Sequence, residues 1–367
     1  MTSKVLRIRL ASAGADLYRA GIGIRFFSGV FVGCPADRPR QPGVQAVEKR
    51  AKLTESSRGR VPADLPPEVL PHNDSMLPES VSASLAAAGF RLQARSLRAI
   101  AGGSINECYR ATAAGARTLF IKLNGPDCAA MFAAESAGLQ ALRRAAAVRV
   151  PEPLARGATA DAAWIALEWL DLEAGTPRAG ARLGELLAAQ HRHTAPRYGW
   201  ERDNTIGTTP QPNAWLDDWP GFWRERRLGP QLRLAAAAGQ GQALAGKGER
   251  LLDALPQLFA GHQPVASLLH GDLWGGNWAM TGAGEPVIFD PAVYFGDREC
   301  DLAMTELFGG FPREFRDAYE AAWPLPPGYA RRRDIYNLYH VLNHLNLFGR
   351  VYLGQAGSLI DRLLTAL

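Results

Sequence analysis

The stretch LLHGDLWGGNWAM, residues 268–280, gathers Asp272, Trp274 and Asn277 between apolar flanks. Glycine-rich loops carrying Asp and Asn are ordinary turns, so the stretch constrains the fold only through its company. Further along the chain, Asp290 ends the apolar run PVIFD. Upstream stand, in order, the glycine turn AGGSIN (101–106), Lys122 in LFIKLN, and Glu135 in MFAAESAGL. A fold that uses these residues together must bring a strand-borne cation, a helix-borne acid and a loop with both acid and amide to one place.

The local patterns supply those carriers. LPESVSASLAAAGF (77–90) has apolar residues at helical spacing. The segment 91–124 reads as strand, glycine turn, strand, turn, strand, and TLFIKL is rich in strand formers. MFAAESAGLQALRRAAA (131–147) reads as a helix closed by Pro151 and Pro153, and AAWIALEWLD (162–171) as a last apolar strand. Beyond it the chain is mainly helical, over 181–193, 214–228, about 242–260, 300–308, 312–322 and 331–350, with a hairpin at 276–291. The expected class is α+β with two lobes: a small β-rich N-lobe over 76–170 and a larger helical C-lobe over 171–367 that carries the loop around Asp272. Ligand sites commonly lie between such units.

Charge bears on possible partners. The segment 1–75 holds 12 of the 41 Lys+Arg and 7 of the 36 Asp+Glu, which leaves 29 of each sign in the rest. The net charge of +5 therefore sits in that segment, and a nucleic-acid groove in the body is not supported. The segment is rich in Pro, Arg and Ser without a sustained period, and reads as a disordered extension or as sequence upstream of a natural start at Met76; its opening residues also resemble a targeting segment, against which Arg25 and Asp16 stand. No stretch is apolar enough to span a bilayer, so no membrane partner is expected. Four widely spaced cysteines without C-x-x-C read as free thiols in a reducing compartment, the cytoplasm.

Phosphoryl transfer from ATP needs backbone N–H groups over the phosphates, a lysine on them, and an acid to hold the lysine. It also needs an Asp and an Asn for the metal and a carboxylate aimed at the acceptor hydroxyl. Each has a candidate here in chain order. Gly102, Gly103 and Ser104 form the turn that can approach a phosphate. Lys122 lies on the third strand with apolar neighbours, and Glu135 on the next helix can pair with it. Singly these features are weak: glycines mark most hairpin turns, an edge-strand lysine is common, and a first-turn glutamate is usually solvated. Asp272 and Asn277 have the spacing of the kinase H-R-D-x-x-x-x-N loop, and Asp290 stands where the second metal-binding Asp belongs.

LLHGDLWGGN and FDPAVYFGDRECDLAMTELFGGF closely resemble the fructosamine kinase (ketosamine-3-kinase) family, relatives of aminoglycoside phosphotransferases with a protein-kinase-like fold. The likeness continues through GWERDNTIGTTPQPN (199–213), DDWPGFWRERRLGPQL (217–232) and LYHVLNHLNLFGRVYLGQA (338–356), and covers roughly residues 80–360. The resemblance implies ATP-dependent phosphorylation of the 3-hydroxyl of a ketosamine, whose unstable 3-phosphate then leaves and frees the amine. It implies Asp272 as the catalytic carboxylate, Asn277 and Asp290 as holders of Mg2+, and Lys122 with Glu135 on the ATP phosphates. Glu168, Trp169 and Leu170 become the segment that meets adenine through backbone groups, and Trp274 a flat face for the sugar. Some members carry a cysteine in the glycine turn where this chain has Ser104, and Cys108 lies beyond the turn, which argues against a thiol switch there. The residues leave open the sugar and its carrier, a small molecule or a protein lysine.

Other readings carry less. GQALAGKG (241–248) misses a P-loop, having Gly248 in place of the Ser/Thr and no preceding strand. His340 and His344 stand at i and i+4 without the glutamate of H-E-x-x-H, and read as packed on a helix with Leu338, Leu342 and Leu345. HRH (191–193) reads as favourable charge at a helix C-terminus. The alternatives are an aminoglycoside or other small-alcohol kinase, for which no acidic run is evident, and a non-catalytic kinase-like binding module, which would not need the full set of groups.

Overall fold

The computed structural model describes residues 77–100 and 105–367. The N-terminal segment 1–75, Met76, and the turn residues Gly102, Gly103 and Ser104 lie outside the described residues.

The chain begins with helix α1 (Glu79–Ala87), which buries Val81 and Leu85, one turn apart, against a sheet. The sheet contains β1 (Arg98–Ile100), β2 (Glu107–Thr112), β3 (Thr118–Asn124), β4 (Pro153–Ala158) and β5 (Ala163–Glu168). It is antiparallel throughout, in the order β1-β2-β3-β5-β4. As the central strand, β3 is covered on both faces, and the two-residue side-chain period decides what each face carries. Leu119, Ile121 and Leu123 turn towards α1 and join a small core with Tyr109, Trp164 and Ala166. Phe120 packs with the main core on the opposite face, and Lys122 follows it by the same period. A strand is also present at 153–158, where the prolines promised only a helix stop.

Helix α2 (Ala129–Ala145) crosses that second face. Its buried Phe132, Leu139 and Leu142 recur at helical spacing. Glu135, at i+3 from Phe132 and i−4 from Leu139, falls on the same inward stripe. This placement keeps Glu135 out of solvent, and it stands in the second turn rather than the first.

After β5 a short connector leads to β6 (Leu172–Glu173), then to α3 (Pro177–His191), capped by the Thr176 hydroxyl accepting from the Ala179 N–H with Pro177 in the first turn. Next come β7 (Thr194–Ala195) and the hairpin β8 (Asn204–Ile206) and β9 (Thr209–Gln211). The helix expected over 214–228 starts only at α4 (Trp219–Phe222), where the Asp218 carboxylate caps Gly221 N–H. It runs through a π-turn (Trp223–Leu228) directly into α5 (Gly229–Ala237), which holds Pro230 at its second position. Helix α6 (Ala245–Leu258) is followed by β10 (Ala266–Leu269), the hairpin β11 (Trp278–Thr281) and β12 (Pro286–Ile288), and β13 (Tyr294–Gly296). Four helices close the chain: α7 (Glu299–Leu307), α8 (Arg313–Ala322), α9 (Tyr329–Phe348) and α10 (Leu353–Thr365). The last helix is not apparent from the sequence.

One continuous apolar core runs from α2 and the underside of the sheet through α3, the β10 region and α9 to α10. The two parts also join by backbone: Ile288 N–H donates to the Arg149 carbonyl (3.0 Å), pairing the segment before β4 with β12. That seam fixes where the loops around β10, β11 and β12 stand relative to Lys122.

Candidate active site

Lys122 is 4% exposed, and its ammonium donates to Glu135 Oε1 and to Asp290 Oδ1, both at 2.6 Å. Burial alone would depress the lysine, but the charges of Asp290 and Glu135 outweigh it and hold the ammonium protonated. The Asp290 side chain stays about half exposed while Glu135 is enclosed, so one partner faces the cleft and the other the core. Asp290 adopts φ 58°, a left-handed conformation that costs energy in a non-glycine residue and that aspartate tolerates best. Cys108 stands opposite Lys122 in the β2–β3 register, and burial pushes its thiol up to about 11, which keeps it protonated and unreactive.

The loop after β10 is held from below. Asp301, in the first turn of α7, accepts from His270 N–H (2.7 Å) and Gly271 N–H (2.8 Å). Gly271 has φ 82°, and a Cβ there would lie 2.1 Å from the Ala292 carbonyl oxygen, so only glycine fits. His270 Nε2 bonds to the Phe289 carbonyl (2.9 Å), tying the loop to the segment that ends in Asp290. Asn277 folds back so that its Nδ2 donates to the Asp272 carbonyl (2.8 Å) and to Asp272 Oδ2 (3.3 Å). The five-residue spacing is the span of this turn, which also contains Asn277 N–H to Trp274 carbonyl at 2.9 Å. Phe289 N–H donates to the Asn277 carbonyl (3.1 Å), so Asn277 and Asp290 are parts of one hydrogen-bonded unit.

Burial, then the charge of Asp290, push the Asp272 carboxyl up to about 7, against the hydrogen bond from Asn277. A carboxylate so placed can accept a proton near neutral pH. Trp274, two residues on, is 39% exposed and open to a ligand. Asn277 Oδ1 accepts no hydrogen bond from the described residues, and the Asp290 carboxylate has an oxygen beyond the one on Lys122. Two oxygen donors of this type suit a hard divalent cation.

The connector behaves differently from the expectation of three backbone groups facing a base. The Glu168 N–H is taken by the Glu152 carbonyl (2.8 Å), and its carboxylate by Arg149 (2.7 Å) and the Glu152 N–H (3.2 Å). The N–H and carboxylate of Glu168 thus brace the sheet, which leaves its carbonyl and the backbone of Trp169 and Leu170 as the groups that can face a base. The Trp169 ring lies 6.4 Å from Phe120, with the Arg110 guanidinium 5.0 Å above it.

His191 corrects a sequence reading. It is completely buried at the end of α3 rather than offering surface charge to a helix terminus. Its Nε2 bonds Asp301 Oδ2 (3.1 Å) and its Nδ1 the Tyr319 hydroxyl (2.8 Å). Burial works to raise the Asp301 carboxyl, but the hydrogen bond and charge of His191, aided by His270 and the Gly271 N–H, hold it below the usual carboxylate range. Sequence reasoning missed Asp301, His191 and Tyr319 as supports of the loop. Their one signal is an acid set against the apolar run LAM (302–304) inside a helix.

Other candidates are occupied. Lys247 of the P-loop-like stretch lies on α6 and pairs with Asp361 of α10 (2.9 Å). His344 Nδ1 bonds the His340 carbonyl (2.8 Å), so this histidine is packed as read. His262, Asp297 and Glu299 lie close enough to share an ion. Their oxygens are already spent: Asp297 Oδ2 accepts from Tyr336 (2.6 Å) and bonds His262 (2.6 Å), and both Glu299 oxygens accept from Arg332 (2.7 Å).

The chain is similar to known proteins over nearly all of its described residues. The family model for fructosamine kinase matches residues 77–366. A protein named a probable ketoamine kinase from Synechocystis is 46% identical over 277 residues, 75% of this chain and 92% of that protein. The chloroplastic protein-ribulosamine 3-kinase of Arabidopsis thaliana is 41% identical over 277 residues, 74% of this chain and 84% of that one. A solved structure described as a fructosamine-3-kinase from Thermobifida fusca aligns with a TM-score of 0.68 at 34% identity, over 78% of this chain and 99% of its own. An amicoumacin kinase in complex with AMP-PNP shares the fold alone, at 13% identity and a TM-score of 0.52 over 78% of this chain and 92% of its own.

Proposed function

The chain belongs to the fructosamine kinase family, and from that premise we propose how its residues divide the work of an ATP-dependent ketosamine 3-kinase. It is a phosphotransferase with the α+β, protein-kinase-like fold. In the reaction the 3-hydroxyl oxygen of the ketosamine forms a bond to the γ-phosphorus of ATP, the bond to the β,γ-bridging oxygen breaks, and ADP leaves. The hydroxyl proton passes to Asp272. Lys122 turns from Asp290 to the phosphates, while Glu135 keeps its ammonium in place. Asn277 Oδ1 and the Asp290 carboxylate would hold Mg2+, which when bound would neutralise phosphate charge. Trp274 gives the sugar a flat apolar wall and keeps water from the transfer site. The backbone of Trp169 and Leu170 receives the adenine.

The observation that carries this reading is Asp290, which touches Lys122 while its own segment is bonded to the Asn277–Asp272 turn. Through it a strand, a helix and two loops, separated by up to 168 residues, meet at one point. The test is ADP release and product mass with ribulose-lysine, fructose-lysine and kanamycin. A phosphorylated ketosamine with kanamycin untouched is the expected outcome. Phosphorylated kanamycin with neither ketosamine turned over would refute the reading.

A further inference from the structure

The acceptor side of the site opens onto an apolar surface larger than a sugar. Gly275 of the Asp272 loop packs backbone to backbone on Gly310, where a Cβ on either would lie 2.8 Å from the other's Cα. This contact sets Trp274, just before Gly275, beside the turn that follows Phe308. The Phe308 ring packs tilted against His344 (4.8 Å between centroids), and His344 touches Phe348 (5.4 Å) and Tyr352 (5.1 Å). Trp274, Phe308, Phe348 and Val351 are 39%, 41%, 54% and 81% exposed. The Phe308, His344, Phe348 and Tyr352 rings form one connected cluster, with Val351 next to Tyr352 in the chain and Trp274 brought towards its Phe308 end by the Gly275–Gly310 contact.

Resting on the kinase reading above, we propose that this surface docks the polypeptide that carries the ketosamine, and that it favours apolar residues beside the modified lysine. The occupant follows from where the patch begins. It is continuous with the loop of Asp272, so it faces whatever the acceptor hydroxyl is attached to. From Phe308 through His344 to Phe348 the rings run for up to the length of about three residues of extended chain. A sugar cannot cover that span without stripping water from its own hydroxyls. A free lysine adduct ends in an ammonium and a carboxylate, and pressing either onto aromatic rings costs desolvation. A peptide presents a neutral backbone and side chains that gain from leaving water.

The test compares ribulated-lysine peptides flanked by Leu and Phe with the same peptides flanked by Ser and Glu, using the full chain. The apolar peptides should show kcat/KM about tenfold higher, mainly through KM. In F348S/V351S, whose replaced side chains are mostly solvent-exposed, that preference should collapse to within about twofold with the melting temperature retained. Equal kcat/KM for both peptide sets in the unaltered protein overturns the proposal. So does a variant that loses both peptides and free ribulose-lysine by one factor, since the patch would then serve the sugar pocket. A variant that gains activity on every substrate, or changes its mass in solution, would show the patch covered by the chain's own N-terminal segment or by a second copy, and overturns it as well. If the unaltered protein turns over no ketosamine at all, the kinase reading has failed rather than this one.

Discussion

Asp272 and Lys122 are both charged groups drawn out of water, yet they are placed for different partners. Lys122 has two carboxylates at 2.6 Å, whereas the Asp272 carboxylate has, among the described residues, the amide of Asn277 and the repulsion of Asp290. The lysine is therefore set for an anion and the aspartate for a proton. Asp272→Asn should lower kcat by about 10²-fold or more, in line with the contribution of a general base. Nucleotide affinity, read by calorimetry with a non-hydrolysable ATP analogue, should stay within a few fold, because Lys122 and the metal donors are untouched. Turnover close to that of the unaltered protein would remove Asp272 from its role. This constellation is legible in the sequence for a physical reason. A short turn fixes the distance between Asp272 and Asn277, and a strand's two-residue period fixes which way Lys122 points. Glu135 requires more: whether it is solvated or buried depends on the stripe it shares with Phe132 and Leu139, and its place near the start of a helix suggests solvent instead.

At the scale of elements, the catalytic loop is positioned by helices that touch no substrate. Asp301 on α7 receives two loop N–H groups and is itself held by His191 from α3, 110 residues away. No spacing rule predicts a bond across that separation, so these supports are invisible in the sequence where the turn of Asp272 is not. Asp301→Asn would aim an amide N–H at the His270 or Gly271 N–H and leave a buried donor unpaired, at a cost of about 1–3 kcal/mol. A positioning role predicts a fall of about tenfold or more in kcat with KM for ATP retained, measured well below the melting temperature. A loss of stability with unchanged kcat would mark Asp301 as structural only. Helix α9 carries a second testable group. Burial, and then the nearby His344, push the imidazole of His340 down to about 3. An unfolded histidine titrates at about 6.5, so below that pH the unfolded chain takes up a proton that the folded chain refuses. Stability from this group is complete above about pH 6.5 and is lost as pH falls towards 3. His340→Gln should flatten the fall in unfolding free energy between about pH 6.5 and 5 by up to about 1.4 kcal/mol per pH unit. Parallel slopes in urea titrations of the two proteins would contradict a neutral buried imidazole.

For the whole molecule, the question is what the segment 1–75 contributes to the body that binds and reacts. The family match starts at residue 77, and 277 residues of this chain account for 92% of the Synechocystis relative. The small core also closes from that point: Leu77, 7% exposed, and α1 complete it against β3 and β5. A protein begun at Met76 therefore keeps every contact traced here from Lys122 to Asp301. Its melting temperature should stay within about 2 °C of the full chain and its kcat on the best ketosamine within about twofold, since the core and the site traced above are built from residues 77 onward. Its charge should change sharply. The full chain's excess of +5 lies wholly in the segment 1–75, so the shortened protein is formally balanced, with 29 basic and 29 acidic side chains. Near neutral pH it should lose most of its retention on a cation exchanger, because net charge governs non-specific adhesion to polyanions. A fall of several degrees in melting temperature would show that the segment docks on the body. Unchanged retention would place the adhesive charge on the body itself, in a patch that the balanced totals conceal.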